Sequence, residues 1–562
     1  MYLQRTRQGL NPRGNQPQSQ LQTTTVRSFD GGLNVSDTDL NMSPKFSRIL
    51  DNLERATDGS LSLRPGTRLF CGVLWDTTDV VNHTYFNGYI IAVQTSGAFS
   101  KVDGTGTSTN MDLVGSPPGT KPWTTTAYTS FTIFNSDLIC CNGHDKPIIV
   151  KGDPTDVNYM DAQYLVDEAT LSNINTPVGK YVIAHGQYTV IAGVATAPSS
   201  LFISAKGTSG TFFGDPPPND AVVLDLGPRV SLGSATITGI VAYRDKLLVT
   251  FERGVLPLNL GVYAGSPSVH TPTDDGFIEE YGCLCHRSLI SVGDDTFFSD
   301  NVGINSINRI NIFYTLRPVR ASHLIDPLTT STIQPLSAAQ IQQYMFAVYD
   351  LRNFRYMLFV PIFDELGVLQ ETVCFSYTNI PALKVQAWAR LRGWKWQSAC
   401  RTALQNIIFS QGHKLYAYDF DSDNHSDFVG DIDVALDMSG VPISFDWEMP
   451  WTDLKHRMNM KHIRYLAMDT QGTAKFTVRA YVDNLYDYHG ADSPYASMDF
   501  LGGDNETSPI PPYFPGTTSD ERLYAFPLKG NIFKFRFSGQ ARTALRFISV
   551  SLGYLGGSIR KG

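Results

Sequence analysis

The sequence predicts an all-β protein: a β-propeller of about six blades with an appended C-terminal β-sandwich and an extended N-terminal arm. Three observations predict it. Short apolar runs separated by tight polar turns recur at 89–94, 138–150, 181–204, 239–260, 288–307, 346–377 and 394–418. Their spacing of roughly 40–55 residues is the period of a propeller blade, not of a helical solenoid. Beyond residue 434 the runs give way to strict alternation of apolar and polar residues, the mark of strands buried on one face only.

Residues 1–28 carry Arg5, Arg7, Arg13 and Arg27, many glutamines and no acidic residue. Such a stretch buries too little apolar surface to fold alone, so it is expected to be either a disordered tail or an extended arm that orders only against a neighbouring subunit. Order begins at Phe29-Asp-Gly-Gly-Leu-Asn34, where Gly31 and Gly32 permit backbone conformations closed to other residues. Ser43-Pro44 reads as a helix N-cap with proline in the first turn, which predicts a short helix to about residue 53. A strand over 61–63 then runs into the turn Arg64-Pro65-Gly66.

From about residue 70 the strand units dominate, and 29–434 is assigned to the propeller with its long inserted loops. In 246–252 the apolar run is nearly continuous, as expected of a strand covered on both faces, and Arg253-Gly254 reverses the chain into the next. The same order recurs at 295–307 and 406–418. Long stretches at 153–179, 211–218 and 320–343 read as surface loops, the last with a short helix near 336–342. Residues 435–562 form the closing sandwich. Phe476, Val478, Ala480 and Val482 share one face of a strand, and Phe533, Phe535 and Phe537 alternate with Lys534 and Arg536.

Hydrophobic residues make up 42% and charged residues 17%, and the 47 glycines and 31 prolines are dispersed as turn punctuation; this is a folded, turn-rich composition. A net charge of −8 argues against a protein that grips nucleic acid through clustered lysine and arginine. The absence of an apolar run of membrane length or of a secretory leader predicts folding in the compartment of synthesis. Seven cysteines, an odd number, make a complete intrachain disulfide framework impossible.

A search for catalytic constellations finds no Gly-x-Ser-x-Gly elbow, no His-Glu-x-x-His and no phosphate loop, so neither enzyme activity nor a cofactor is predicted. Cys283, Cys285 and His286 offer soft ligands, with Cys140 and Cys141 as possible completions, but buried cysteine acting as a small hydrophobe is the commoner use. Asp419, Asp421 and Asp423 fall at positions one, three and five of a calcium-type loop. Asn424 then stands where that loop needs glycine, and Gly430 where it needs glutamate, so an acidic linker is the favoured reading. Trp394, Trp396, Trp447 and Trp451 would suit sugar stacking, against core packing as the alternative.

Several motifs, taken in order, resemble the tail tube nozzle proteins (tail tubular protein B-like) of short-tailed bacteriophages. Phe29-Asp-Gly-Gly-Leu-Asn34 followed by Gly59-x-Leu-x-Leu-Arg64-Pro65-Gly66 resembles that family's opening. Asn142-Gly-His-Asp-Lys-Pro147 resembles its blade turn, 240–261 its blade ending in a Phe-Glu-Arg turn, and 447–556, with Lys461 and Asp483, its closing domain. The resemblance implies a structural protein of the virion tail, assembled in the host cytoplasm. It implies a homo-oligomeric ring, six subunits being expected, below an adaptor (head-to-tail connector) ring. Fibres, spikes or a plug would lie nearby, and double-stranded DNA would pass during ejection. The competing reading is a carbohydrate-binding or glycan-degrading propeller protein of a phage tail.

Overall fold

The computed structural model describes residues 21–556 apart from 39–40, 167–175, 214–220, 232, 261–271, 293–294, 311–314, 381–382, 384, 420–425, 428–440, 455–459, 473, 484–495, 502–519 and 542–543. Within them the chain is a β-propeller joined to a β-sandwich. Seven antiparallel blades follow one another, beginning with the strands Val80–Phe86, Ser130–Phe134, Tyr181–His185, Gly239–Tyr243, Ile290–Val292, Phe346–Asp350 and Ser398–Arg401. The expected six become seven because the last blade borrows its outer strand. Ser398–Arg401, Ile407–Gln411 and Lys414–Asp419 are completed by Gly66–Cys71 from the N-terminal side, with Leu415 opposite Cys71 and Asp419 opposite Gly66. Three consecutive strands alone do not reveal that fourth partner.

Near-continuous apolar runs are explained by what lies on each face of a blade. Adjacent residues of a strand point to opposite faces, and here both faces are covered. In Asp137–Cys141, Leu138 and Cys140 pack with Ile91, Val93 and Phe99 of the first blade, whereas Ile139 and Cys141 pack with Val182 and Ile191 of the third. Equivalent cores lie between the third and fourth blades around Val249 and Phe251, and between the fourth and fifth around Leu248 and Phe298. Ile90, Ile408 and Leu415 fill the seam where the seventh meets the first. Burial of each such side chain contributes about 1.5–3 kcal/mol, so the ring is held by its interblade layers.

The sandwich is drawn from both ends of the chain. One sheet contains Leu21–Val26, Leu53–Arg55, Leu61–Leu63, Lys461–Gln471, Asp520–Gly530 and Arg546–Gly556. The facing sheet contains Ile49–Asp51, Val441–Glu448, Lys475–Asp483, Ala496–Leu501 and Ile532–Ala541. Phe547 of the first packs against Phe445, Trp447, Phe476 and Phe537 of the second, with centroids 5.2–6.0 Å apart. Residues 29–65, expected in the propeller, therefore mostly complete the sandwich, and the propeller is inserted between its two halves.

The predicted helix at 43–53 is absent. Phe46–Ser47, Ile49–Asp51 and Leu53–Arg55 are strands, because Leu50 and Leu53 find buried partners on distant strands and tertiary pairing overrides the local capping signal. The predicted helix near 336–342 is present as Ala338–Tyr344, opened by a capping box between Ser337 and Gln340, and Asp326–Ile333 adds a second. Of the arm, Leu21–Val26 is a strand paired with the same chain's Arg546–Gly556, so this part orders intramolecularly. Arg5, Arg7 and Arg13 lie outside the described residues, as does most of 487–515, which the sequence reads as an exposed loop rich in glycine, proline and tyrosine.

The two halves are joined by the segment from Phe29 to Gly66. Phe29 is buried edge-on against Trp447 at 5.2 Å. Gly32 has φ +65°, and a Cβ there would meet the Trp388 backbone of the sixth blade at 2.6 Å; no other residue fits. Asp51 receives both Nε and Nη2 of Arg390 at 2.6 and 2.7 Å. Glu54, buried, is ion-paired with buried Arg355 and accepts from Ser376 Oγ at 2.7 Å.

Arg64 is fully buried. Its Nε donates to Asn52 Oδ1 (3.0 Å), its Nη1 to Pro65 O (3.1 Å) and its Nη2 to Arg392 O (3.3 Å), and the guanidinium lies 4.0 Å from the Trp394 ring centroid. Asn52 also accepts from the Arg392 backbone N–H (2.7 Å) and donates to Ser444 O (2.7 Å), so one amide bridges blade and sandwich. Arg64→Met keeps the stem but strands these acceptors. It is expected to lower unfolding stability by about 2–4 kcal/mol, read as a lower urea midpoint.

Candidate functional site

The first strands of the blades surround a central channel, and the chemistry that faces it comes from four of them and from the 3-10 turn His286–Ser288 that precedes the fifth blade's first strand. A cavity of about 280 Å³ is lined by Asn82, His83, Thr84, Thr129, Ser130, Phe131, His286, Arg287, Leu289, Phe346, Ala347, Ala399, Cys400 and Arg401. The helix Ala338–Tyr344 sits at one end. Its Gln342 side chain accepts from Lys180 Nζ, and the Gln343 carbonyl accepts from Arg287 Nη1 at 2.8 Å. Arg287 Nη2 donates to Gln397 O at 2.7 Å, and its guanidinium lies 5.3 Å from the Phe346 ring centroid. A half-buried arginine thus sits inside the propeller, held through two of its N–H groups by carbonyls and by no carboxylate among the described residues.

Two histidines are held neutral beside it. His83 Nε2 donates to Ile408 O (2.9 Å), which leaves Nδ1 to accept from Ser398 Oγ (2.7 Å); Ser398 in turn accepts from Ser410 Oγ (2.6 Å). The chain of bonds ties the first blade to the seventh across the ring closure. His286 Nδ1 accepts from the Ile240 N–H at 3.3 Å, so the ring proton sits on Nε2. Burial, reinforced by neighbouring Arg287 and, for His286, Lys180, pulls both rings down to a pKa of about 4. Burial also lowers the Lys180 ammonium, which lies 4.8 Å from the Tyr128 ring centroid.

The cysteines behave as buried apolar groups. Cys283 Sγ donates to Cys285 O and Cys285 Sγ to Met345 O, both at 3.2 Å, and burial pushes the Cys283 thiol up to about 12. Cys140 and Cys141 face different interblade layers, so the zinc grouping is not assembled. Asp419 ends the third strand of the seventh blade; Asp421 and Asp423 lie outside the described residues, and with them the calcium reading. Among the described residues no cluster of three or more histidine, cysteine, aspartate or glutamate side chains is positioned to hold a metal. No helix among them is long and apolar enough to cross a membrane.

The motifs singled out in the sequence, Phe29, Gly31, Gly32, Arg64, Pro65 and Gly66, come together at the join between propeller and sandwich, not on an outer surface. Trp394, Trp396 and Trp447 are buried there as well. Trp396 stacks on Phe409 at 5.1 Å and Trp447 on Phe537 at 4.5 Å, so they serve as core and not as a sugar platform. Sequence reasoning missed the channel groups His83, Arg287 and Lys180, whose partners lie far away in the chain. A second hollow of about 330 Å³ lies between the fifth and sixth blades, lined chiefly by Phe297, Tyr349, Phe354, Tyr356 and Tyr377.

No protein-family model matches the chain, and no curated protein matches it. Solved structures similar to it include streptogramin B lyase, at 9% identity and a TM-score of 0.38, covering 63% of this chain and 97% of that one. Another is the WD40 β-propeller domain of Doa1, at 9% identity and a TM-score of 0.30, covering 64% of this chain and 98% of that one.

The buried histidines make stability depend on pH. Their folded pKa of about 4 lies below the ordinary 6.5, so between these values the unfolded chain takes up protons that the folded chain does not. Stability is therefore unaffected by these groups above about pH 6.5 and falls towards pH 4, by on the order of 3 kcal/mol for each ring. Urea midpoints measured from pH 7 to pH 4.5 are expected to show this fall, and His83→Gln is expected to make it shallower.

Proposed function

We propose that the chain is a wall subunit of an oligomeric phage tail nozzle, six copies forming a ring that conducts and gates double-stranded DNA during ejection. The observation that carries this reading is the single continuous core running from Phe29 and Trp447 in the sandwich to Trp394 and Phe409 in the propeller. A tube wall has to transmit load between neighbouring rings without bending at a domain joint, and a joint filled by buried aromatics and the Arg64–Asn52 node meets that need. Two of the motifs that resemble the nozzle family, 29–34 and 59–66, help to build this joint.

The lumen lies between subunits. A DNA major groove alone is about 12 Å wide, and the 280 Å³ cavity at the propeller centre, crossed by Arg287, has no room for a duplex. A net charge of −8 suits a wall past which phosphates must slide, since each neutralised phosphate adds affinity. Exposed apolar loop tips supply contacts for neighbouring subunits, the adaptor, fibres or a plug. Leu366, at the hairpin between Arg355–Phe363 and Leu369–Ile380, is 88% exposed, and Leu404 is 76% exposed.

Electron microscopy of the purified protein, alone and mixed with its adaptor, is expected to show rings with a central lumen. Monomers under both conditions, or release of reducing sugar from host polysaccharide, would overturn the reading. Leu366→Asp combined with Leu404→Asp is expected to abolish rings while leaving subunit stability within about 0.5 kcal/mol, checked by the same microscopy and by urea unfolding. Removal of residues 1–20, which spares the strand Leu21–Val26, separates a docking role of the arm from a folding role: tail assembly is expected to fail while the subunit still folds.

A further inference from the structure

Several side-chain N–H groups along the central cavity have no acceptor among the described residues. Arg287 spends two of its five N–H groups on the carbonyls of Gln343 and Gln397, leaving three. Arg401 lies further along the same wall and has no acidic partner among the described residues. His286 carries its proton on Nε2, since Nδ1 accepts from Ile240. Thr129 is fully buried, lines the cavity, and its Oγ1 has no hydrogen-bond partner. The adjoining Tyr128 hydroxyl is likewise buried without a partner. No carboxylate lines the cavity beside these two guanidinium groups. Asp79, the acidic group nearest in the bonding network, is engaged with Gln397 Nε2 at 3.0 Å.

We propose that the central cavity is a binding site for a tetrahedral oxyanion, phosphate or sulfate, free or as a phosphate monoester. Arg287, Arg401 and the Nε2–H of His286 are its ligands. Planar guanidinium groups match the oxygen spacing of such anions, and 280 Å³ accommodates one with a few waters. The low pKa of the two histidines agrees with a cationic interior that disfavours further protonation. This inference is independent of the nozzle reading: an anion here would brace the ring from its centre whether or not the subunits form a tube.

The test is calorimetric titration and thermal melting of the intact chain with sodium phosphate, sodium sulfate and phenyl phosphate, ionic strength being held constant with sodium chloride. Saturable binding of phosphate or sulfate, with a melting temperature that rises as the site fills, is the expected result. Stronger binding of phenyl phosphate than of phosphate would identify a monoester as the occupant, and the reverse a free anion. Arg401→Gln is expected to weaken binding about tenfold or more, whereas Thr129→Val, at a hydroxyl sealed from the cavity, is expected to leave it unchanged. Arg401 is exposed and holds no structural bond, so that variant is expected to melt normally in chloride. The proposal is overturned if none of the three anions binds saturably, or if Arg401→Gln binds as the unmodified chain does.

Discussion

The Arg64–Asn52 node is the constraint on which the arrangement depends. A buried guanidinium is costly unless its donors are satisfied, and here the partners come from two places: the segment that precedes the propeller, and the last strand of the sixth blade, which supplies both the Arg392 carbonyl and the Trp394 ring. Asn52, held at φ 58°, spends its side chain on both domains at once. Neither the blade nor the sandwich can shift relative to the other without leaving one of these groups unpaired in the interior. The pairs Asp51–Arg390 and Glu54–Arg355 repeat the arrangement on either side, so residues 51–64 fix the angle between the lobes through charge and hydrogen bonds, while Phe29 and Trp447 fill the space between.

The propeller itself is held in a different manner. Its blades share apolar layers that are each owned by two neighbours, and polar groups are gathered where the layers end: at the ring closure, where His83, Ser398 and Ser410 form one chain of bonds, and at the centre, where Arg287 and Lys180 reach the helix Ala338–Tyr344. The separation explains how a chain with only 17% charged residues places several of them inside. They sit where strands diverge and backbone carbonyls need donors, so burial of the charge and satisfaction of the carbonyl solve each other.

What could be read from the sequence followed the range of the interactions. Blades such as 239–260 were legible because hairpin partners are close in the chain and the turn residues between them are distinctive. Helix Ala338–Tyr344 was legible from its own capping residues. The false helix at 43–53 arose from an equally clear local signal, Ser43-Pro44, which lost to pairing with strands around residues 390 and 447. The site was less accessible. His83 meets Ser398, and Arg287 meets Gln343 and Gln397, and nothing in the neighbourhood of either residue announces the partner. The Arg64-Pro65-Gly66 motif was visible as a turn, but burial of its arginine was not, since a lone arginine beside proline and glycine ordinarily reads as solvent-facing.

The strand Gly66–Cys71 carries a consequence for how the molecule is made. Its partner Lys414–Asp419 lies roughly 350 residues later, and closing a loop of that length costs about 5 kcal/mol in chain entropy before any contact repays it. During synthesis the first-made edge has to wait, unpaired, until nearly three quarters of the chain has emerged. The sandwich waits too, because its two sheets need strands from both ends. Translation therefore yields no partial product with a finished surface: propeller and sandwich reach completion together, and a truncated chain carries open strand edges. Completion of the subunit thereby becomes a checkpoint that precedes any larger assembly.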